Sequence, residues 1–108
     1  MKYTVTCDEK TTAQLARLFE THANPNSDRF SRELAARISA ASDQIDGKLA
    51  LDPYGEHMPP ESATPQLIAG DLNLWILVID PISVMYTISE DDCLVSLHDY
   101  RLSTPANA

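Results

Sequence analysis

The sequence predicts an α+β domain in which two amphipathic helices lie on one face of an antiparallel sheet. Three observations predict it. Apolar residues recur at three- and four-residue spacing from Leu15 to Leu49, apolar and polar residues alternate from Ile82 to His98, and four prolines between Asp52 and Pro65 separate the two regions. The first pattern is a helix face and the second a half-buried strand, and helices followed by strands pack as segregated layers. The 108 residues fit one domain spanning 1–108, large enough to hold a hydrophobic core without metals or crosslinks.

Lys2 to Thr6 is β-prone, with Tyr3 and Val5 on one side, and reads as a short strand. From Glu9, Leu15, Leu18, Phe19 and Ala23 form the stripe of a first helix, capped by Asp8 or Thr11 and running to about His22. Asn24, Pro25 and Asn26 break it, and Ser27 is a suitable cap for a second helix starting near Asp28. In that helix Phe30, Leu34, Ile38, Ala41, Ile45 and Leu49 are spaced by 4, 4, 3, 4 and 4, which keeps them on one face. Arg29 with Glu33, and Glu33 with Arg37, stand at i,i+4 on the polar side, each pair contributing roughly 0.2–0.5 kcal/mol. Gly47 weakens the last turn and Pro53 ends it. The short connection makes the two helices an antiparallel hairpin whose joint apolar face needs a sheet to cover.

Residues 52–65 form a loop, read either as an ordered functional segment or as a variable connector. Strands follow at Gln66 to Ala69, Leu74 to Ile79, Ile82 to Ile88 and Cys93 to His98. Turns at Asp80-Pro81 and Glu90-Asp91-Asp92 make them a three- or four-stranded meander, and the tail 103–108 is expected to fray. Period-two counting places Ile82, Val84, Tyr86 and Ile88 on the helix side together with Cys93, Val95 and Leu97. Ser83, Met85, Thr87, Leu94, Ser96, His98 and Tyr100 then fall on an open face. Leu74 to Ile79 is apolar on both sides, as a central strand would be, with Trp75, Leu77 and Ile79 opposing Leu74, Ile76 and Val78.

Charge is lopsided. Residues 1–48 are balanced, whereas 49–108 hold nine acids and one base, Arg101, and the net charge is −8. Phosphate binding rests on cations, so this half disfavours direct nucleic-acid contact and suits a cationic partner, although surplus acid also simply keeps a small protein in solution. Cys7 and Cys93 match neither a disulfide framework nor a zinc pattern and are expected at or near the core. The start lacks a signal-peptide run and no stretch reaches membrane-span length, so a cytoplasmic protein is expected. Asp52, Glu56 and His57, or His98 with Asp99, offer too few ligands to close a metal site, and no cofactor is expected.

The order strand, helical hairpin, meander resembles the RelE/ParE superfamily, the toxin halves of bacterial type II toxin–antitoxin modules, some of them known as plasmid stabilisation systems. RISAASDQIDGKLALDPYGE is similar to the end of that family's second helix and its following turn, and DPISVMYTISEDDCLVSLHDYRL to its hairpin, over roughly residues 30–102. The resemblance implies an antitoxin partner, with the ribosome or gyrase as target and a homodimer as a further option. In members that cleave messenger RNA, cations on the open face hold phosphates and acid/base groups sit near the last strand, a position that here belongs to His98, Tyr100 and Arg101. Where relatives place Arg or Lys, this chain has Asp80, Ser83, Met85, Thr87, Leu94 and Ser96. Three readings follow: a toxin-like protein acting by protein contact with a degenerate ribonuclease site, an active ribosome-dependent endoribonuclease, or a non-toxic acidic interaction domain. Against a catalytic set stands a plainer assignment, with His98 and Tyr100 partly exposed at an edge, Asp99 solvated and Arg101 paired with an acid.

Overall fold

The computed structural model describes residues 2–23, 29–58 and 63–102. Its elements are β1 (Thr4–Cys7), α1 (Glu9–Ala23), α2 (Arg29–Leu51), β2 (Gln66–Ala69), a 3-10 turn (Gly70–Leu72), β3 (Leu74–Ile79), β4 (Ile82–Ser89) and β5 (Leu94–Leu102). The five strands form one sheet in the order β1-β5-β4-β3-β2, with β1 parallel to β5 and every other pair antiparallel. The α+β architecture expected from the sequence is the one observed, with a four-stranded meander and both helices on one face.

Asp8 caps α1: its carboxylate accepts the Thr11 N–H at 2.7 Å and its carbonyl the Thr12 N–H at 2.9 Å. Leu15 and Leu18 turn toward the core, whereas Phe19 remains 40% exposed. The expected Ser27 cap and the helix start near Asp28 lie outside the described residues. Within α2 the buried row is Ala35, Ile38, Ala41, Ile45 and Leu49. Phe30 departs from its predicted place and is 74% exposed. The buried row of α2 begins only at Ala35, so Phe30 in the first turn lies ahead of it. Arg29 and Glu33 pair as expected at 3.1 Å, but Arg37 turns away from Glu33 and bonds Asp80 in the β3–β4 turn, linking α2 to the sheet.

Ile38, Ala41, Ile45 and Leu49 of this row pack with Leu77, Ile82, Val84, Tyr86, Ile88, Val95, Leu97 and Tyr100, all on the helix side of the sheet. Each fully buried aliphatic side chain here contributes about 1.5–3 kcal/mol over its exposed state. Of the two opposing sets of β3, the one that packs on this core is Trp75, Leu77 and Ile79. β3 is interior but not central; β4 holds the middle. Leu74 and Ile76 are half-buried on the other side and Val78 is exposed. Cys93 closes the β4–β5 turn in the left-handed region, with φ 50°, so β5 starts at Leu94 rather than at Cys93. Cys7, expected near the core, is exposed at the end of β1. No helix among the described residues is long and apolar enough to cross a membrane.

The loop after α2 is anchored at its first half. Asp52 accepts the N–H groups of Glu56 and His57 at 3.0 and 2.8 Å, the buried Tyr86 hydroxyl donates to the Pro53 carbonyl at 2.7 Å, and Tyr54 meets Trp75 edge to face with ring centroids 5.4 Å apart. Gly55 takes φ +73° against Pro65, a conformation and a closeness that a side chain would not tolerate.

Candidate functional site

The geometry of β5 turns on one extra residue. Its pairing with β4 runs Thr87 to Ser96 and Tyr86 to Leu97, then steps to Met85 with Asp99 and Val84 with Tyr100, leaving His98 as a bulge. A bulge reverses the face that later residues present. Tyr100 therefore joins Val95 and Leu97 on the helix side, 4% exposed, and Arg101 comes to the open face opposite Ser83. The expectation that His98 and Tyr100 share the open face is thus corrected, because counting by twos across the bulge is off by one.

The bulge sits where β1 ends. Parallel pairing of β1 with β5 stops at Cys7 and Leu97, and beyond it α1 flanks the strand. Thr11, fully buried, donates its hydroxyl to the His98 carbonyl at 3.0 Å. The Gln14 side chain accepts the Tyr100 N–H at 3.1 Å through Oε1 and donates through Nε2 to Asp99 at 2.9 Å. Backbone groups that a neighbouring strand would otherwise satisfy are bonded by helix side chains. The first of these side chains lies three residues from the Asp8 cap. The Thr11 amide bond, then its hydroxyl, hold the Asp8 carboxyl below the usual carboxylate range against a smaller upward effect of burial, and the nearby His98 adds to the lowering.

On the open face His98 Nε2 stands 2.8 Å from the Thr87 hydroxyl. Arg101 donates through Nε to Asp99 at 2.6 Å; the arginine side chain is 74% exposed and the aspartate 17%. Arg101 thus pairs with an acid, as the plainer assignment has it, while Asp99 is mostly covered rather than solvated. Burial raises the Tyr100 phenol, the charge of Asp46 and then Cys7 add to this, and a bond with Ser42 offsets a part. The phenol neither reaches the open face nor readily gives up its proton. Arg101 is the single lysine or arginine of β2–β5, and its charge is matched by Asp99. Of the three residues singled out from the sequence, His98 and Arg101 share a face and Tyr100 does not. Thr87 is on the open face that counting by twos gives it, whereas Thr11 and Gln14, which complete the cluster, carry no linear signal, because only the approach of α1 brings them there.

Among the described residues no three His, Cys, Asp or Glu side chains stand close enough to hold a metal ion. A cleft of ≈ 480 Å³ opens at the other end of the sheet between Tyr54, Glu56, Asn73, Ser89, Glu90 and Asp91.

The backbone arrangement has known counterparts. It superposes on a chain of the toxin–antitoxin complex RelBE2 from Mycobacterium tuberculosis with a TM-score of 0.60, 16% identity and coverage of 94% of this chain and 99% of that one. A chain of the archaeal RelE–RelB complex from Pyrococcus horikoshii gives 0.56 at 17% identity, covering 98% and 100%. The chain has a RelE-like fold. A conserved hypothetical protein of Helicobacter pylori is similar to it as well, at 0.54, 13% identity and 94% coverage of each chain. No family model and no curated relative matches the sequence. The RelE-like fold is therefore carried by pattern and packing, and on it this chain sets a bulge at His98, an Arg101 paired with Asp99, and acids that, Asp99 apart, stand outside the strands.

Proposed function

We propose that this chain is the toxin-type component of a toxin–antitoxin module, that it acts by protein contact rather than by cutting RNA, and that an antitoxin protein neutralises it. The solved complexes it resembles are toxin–antitoxin pairs, which supports an antitoxin partner. The observation that carries the contact mechanism is the pairing of Arg101, the one lysine or arginine within the described strands, with Asp99. Stabilising charge at a scissile phosphate needs donors aimed at it and cations not already neutralised, and a proton shuttle needs a second group beside His98. Tyr100, the residue in sequence position to be that group, lies under the helices.

Expression of the intact chain, alone and with the product of its neighbouring gene, tests this reading. The expected result is growth arrest without transcript cleavage, relieved by a neighbour that co-purifies. Cleaved transcripts that disappear with His98→Ala would replace it by the endoribonuclease reading. Unimpaired growth with no bound neighbour would leave a non-toxic acidic domain.

A further inference from the structure

On the helix side of β5 a cavity of ≈ 270 Å³ opens where β1, α1, α2 and β5 meet. An apolar cavity of about 150 Å³ takes up benzene, so this one admits a body of several carbons. Val5, Leu15 and Leu97 give it apolar walls, and all three belong to the core or pack against it. Polar groups converge on the same space. The buried Tyr100 phenol is bonded with Ser42, and Asp46 stands beside them on α2. Burial and then the charge of Asp43, one turn earlier, hold the Asp46 carboxyl above the usual carboxylate range, which is the mark of an anion lacking a compensating cation. No lysine, arginine or histidine lines the cavity, and among the described residues Asp46 has no ion pair. Lys48, the nearest cation along α2, lines a separate pocket with Asp52 and His57.

We propose that this cavity binds a small primary amine, as its ammonium ion, with a short apolar body. The body replaces water between Val5, Leu15 and Leu97, and the ammonium donates to the Asp46 carboxylate beside the Tyr100 and Ser42 oxygens. A carboxylate ligand meets the charges of Asp46 and Asp43, which repel it, and a neutral molecule of the same shape forgoes the attraction. Four elements bound the space, so it suits a molecule of side-chain size and not a further strand or helix.

The test titrates the isotope-labelled full chain with pentylammonium, pentanol and hexanoate. Amide shifts centred on Val5, Leu15, Ser42 and Leu97 are expected with pentylammonium, with pentanol binding about tenfold more weakly and hexanoate not at all. Asp46→Asn lowers pentylammonium affinity to that of pentanol, and Thr12→Phe, which puts bulk at an exposed position of the cavity wall, abolishes binding of both. Pentylammonium also slows alkylation of Cys7, which lines the cavity, and leaves Cys93, whose thiol lies against the Glu90 carbonyl, unaffected. Equal binding of pentylammonium and hexanoate, shifts centred on Glu56 and Glu90, or unchanged affinity in Asp46→Asn would overturn the proposal. So would tighter binding of a lysine dipeptide than of pentylammonium, which would assign the site to a partner's side chain. Binding is read without toxicity, so the amine site and the module reading stand or fall separately.

Discussion

The side-chain oxygen of Gln14 accepts the backbone N–H of Tyr100 at 3.1 Å, so that one helix side chain does for β5 what β1 does four residues earlier. The same amide group holds Asp99, and Thr11 holds the His98 carbonyl, which makes the start of α1 the support of the whole polar cluster.

Removing this support is expected to loosen β5 beyond Leu97. Gln14→Ala leaves the Tyr100 N–H without its acceptor and costs about 1–3 kcal/mol, with Thr11→Val costing a similar amount. Because both act on one bulge, the double variant loses less than the sum. Urea unfolding gives the magnitudes, and hydrogen exchange at Tyr100 shows local opening. Unchanged protection there would contradict the assignment.

Tyr86 and Tyr100 titrate late. Burial raises both phenols, so the folded chain keeps their protons while the unfolded chain releases them near its ordinary pKa of about 10. Their contribution to stability is complete below that pH and is lost as pH rises toward the folded values. An alkaline absorbance titration should show these two phenols ionising together with loss of structure, and Tyr100→Phe with Tyr86→Phe should shift that midpoint upward. Tyr86→Phe also leaves the Pro53 carbonyl without its donor and costs about 1–3 kcal/mol at neutral pH.

The Asp8 cap works at the acid end. Its lowered pKa means a stabilisation present above the unfolded value of about 3.9 and lost as pH falls through the folded one. Asp8→Asn keeps a capping acceptor and is expected to flatten the melting-temperature profile in that window, whereas Asp8→Ala lowers the melting temperature throughout the neutral range.

Asn73 is held at φ 50° and bonds three partners: it donates to the Ile88 carbonyl at 2.8 Å and to the Tyr54 hydroxyl at 3.4 Å, and accepts the Trp75 indole N–H at 2.8 Å. Asn73→Gly keeps the backbone and loses the bonds, while Asn73→Ala loses both, adding about 1–2 kcal/mol. A thermal melt in which alanine is no worse than glycine would contradict the role of the left-handed conformation.

These positions show what the sequence made legible. Spacing in α2 located Ile38, Ala41, Ile45 and Leu49 in the core because a helix face is a local property. Ile45→Ala should accordingly cost about 2–5 kcal/mol, and Phe30→Ala nearly nothing. Phe30 misled because spacing fixes which face of a helix is apolar but not how many of its turns are covered, and the buried row starts only at Ala35. Tyr100 misled because a single inserted residue reverses parity, and nothing in SLHDYRL announces the insertion. Arg101 and Asp99 lie two residues apart and were readable as neighbours, but Gln14 reaches them across the fold. Order of elements carried the fold, while the site depended on a bulge and on where β1 stops.

The most direct test of the account is the mapping of transcript 5′ ends on ribosomes from cells expressing the intact chain. The pairing of Arg101, the one cation within the described strands, with Asp99 predicts an end profile indistinguishable from that of His98→Ala and Arg101→Ala. New cleavage sites that vanish in either variant would contradict it.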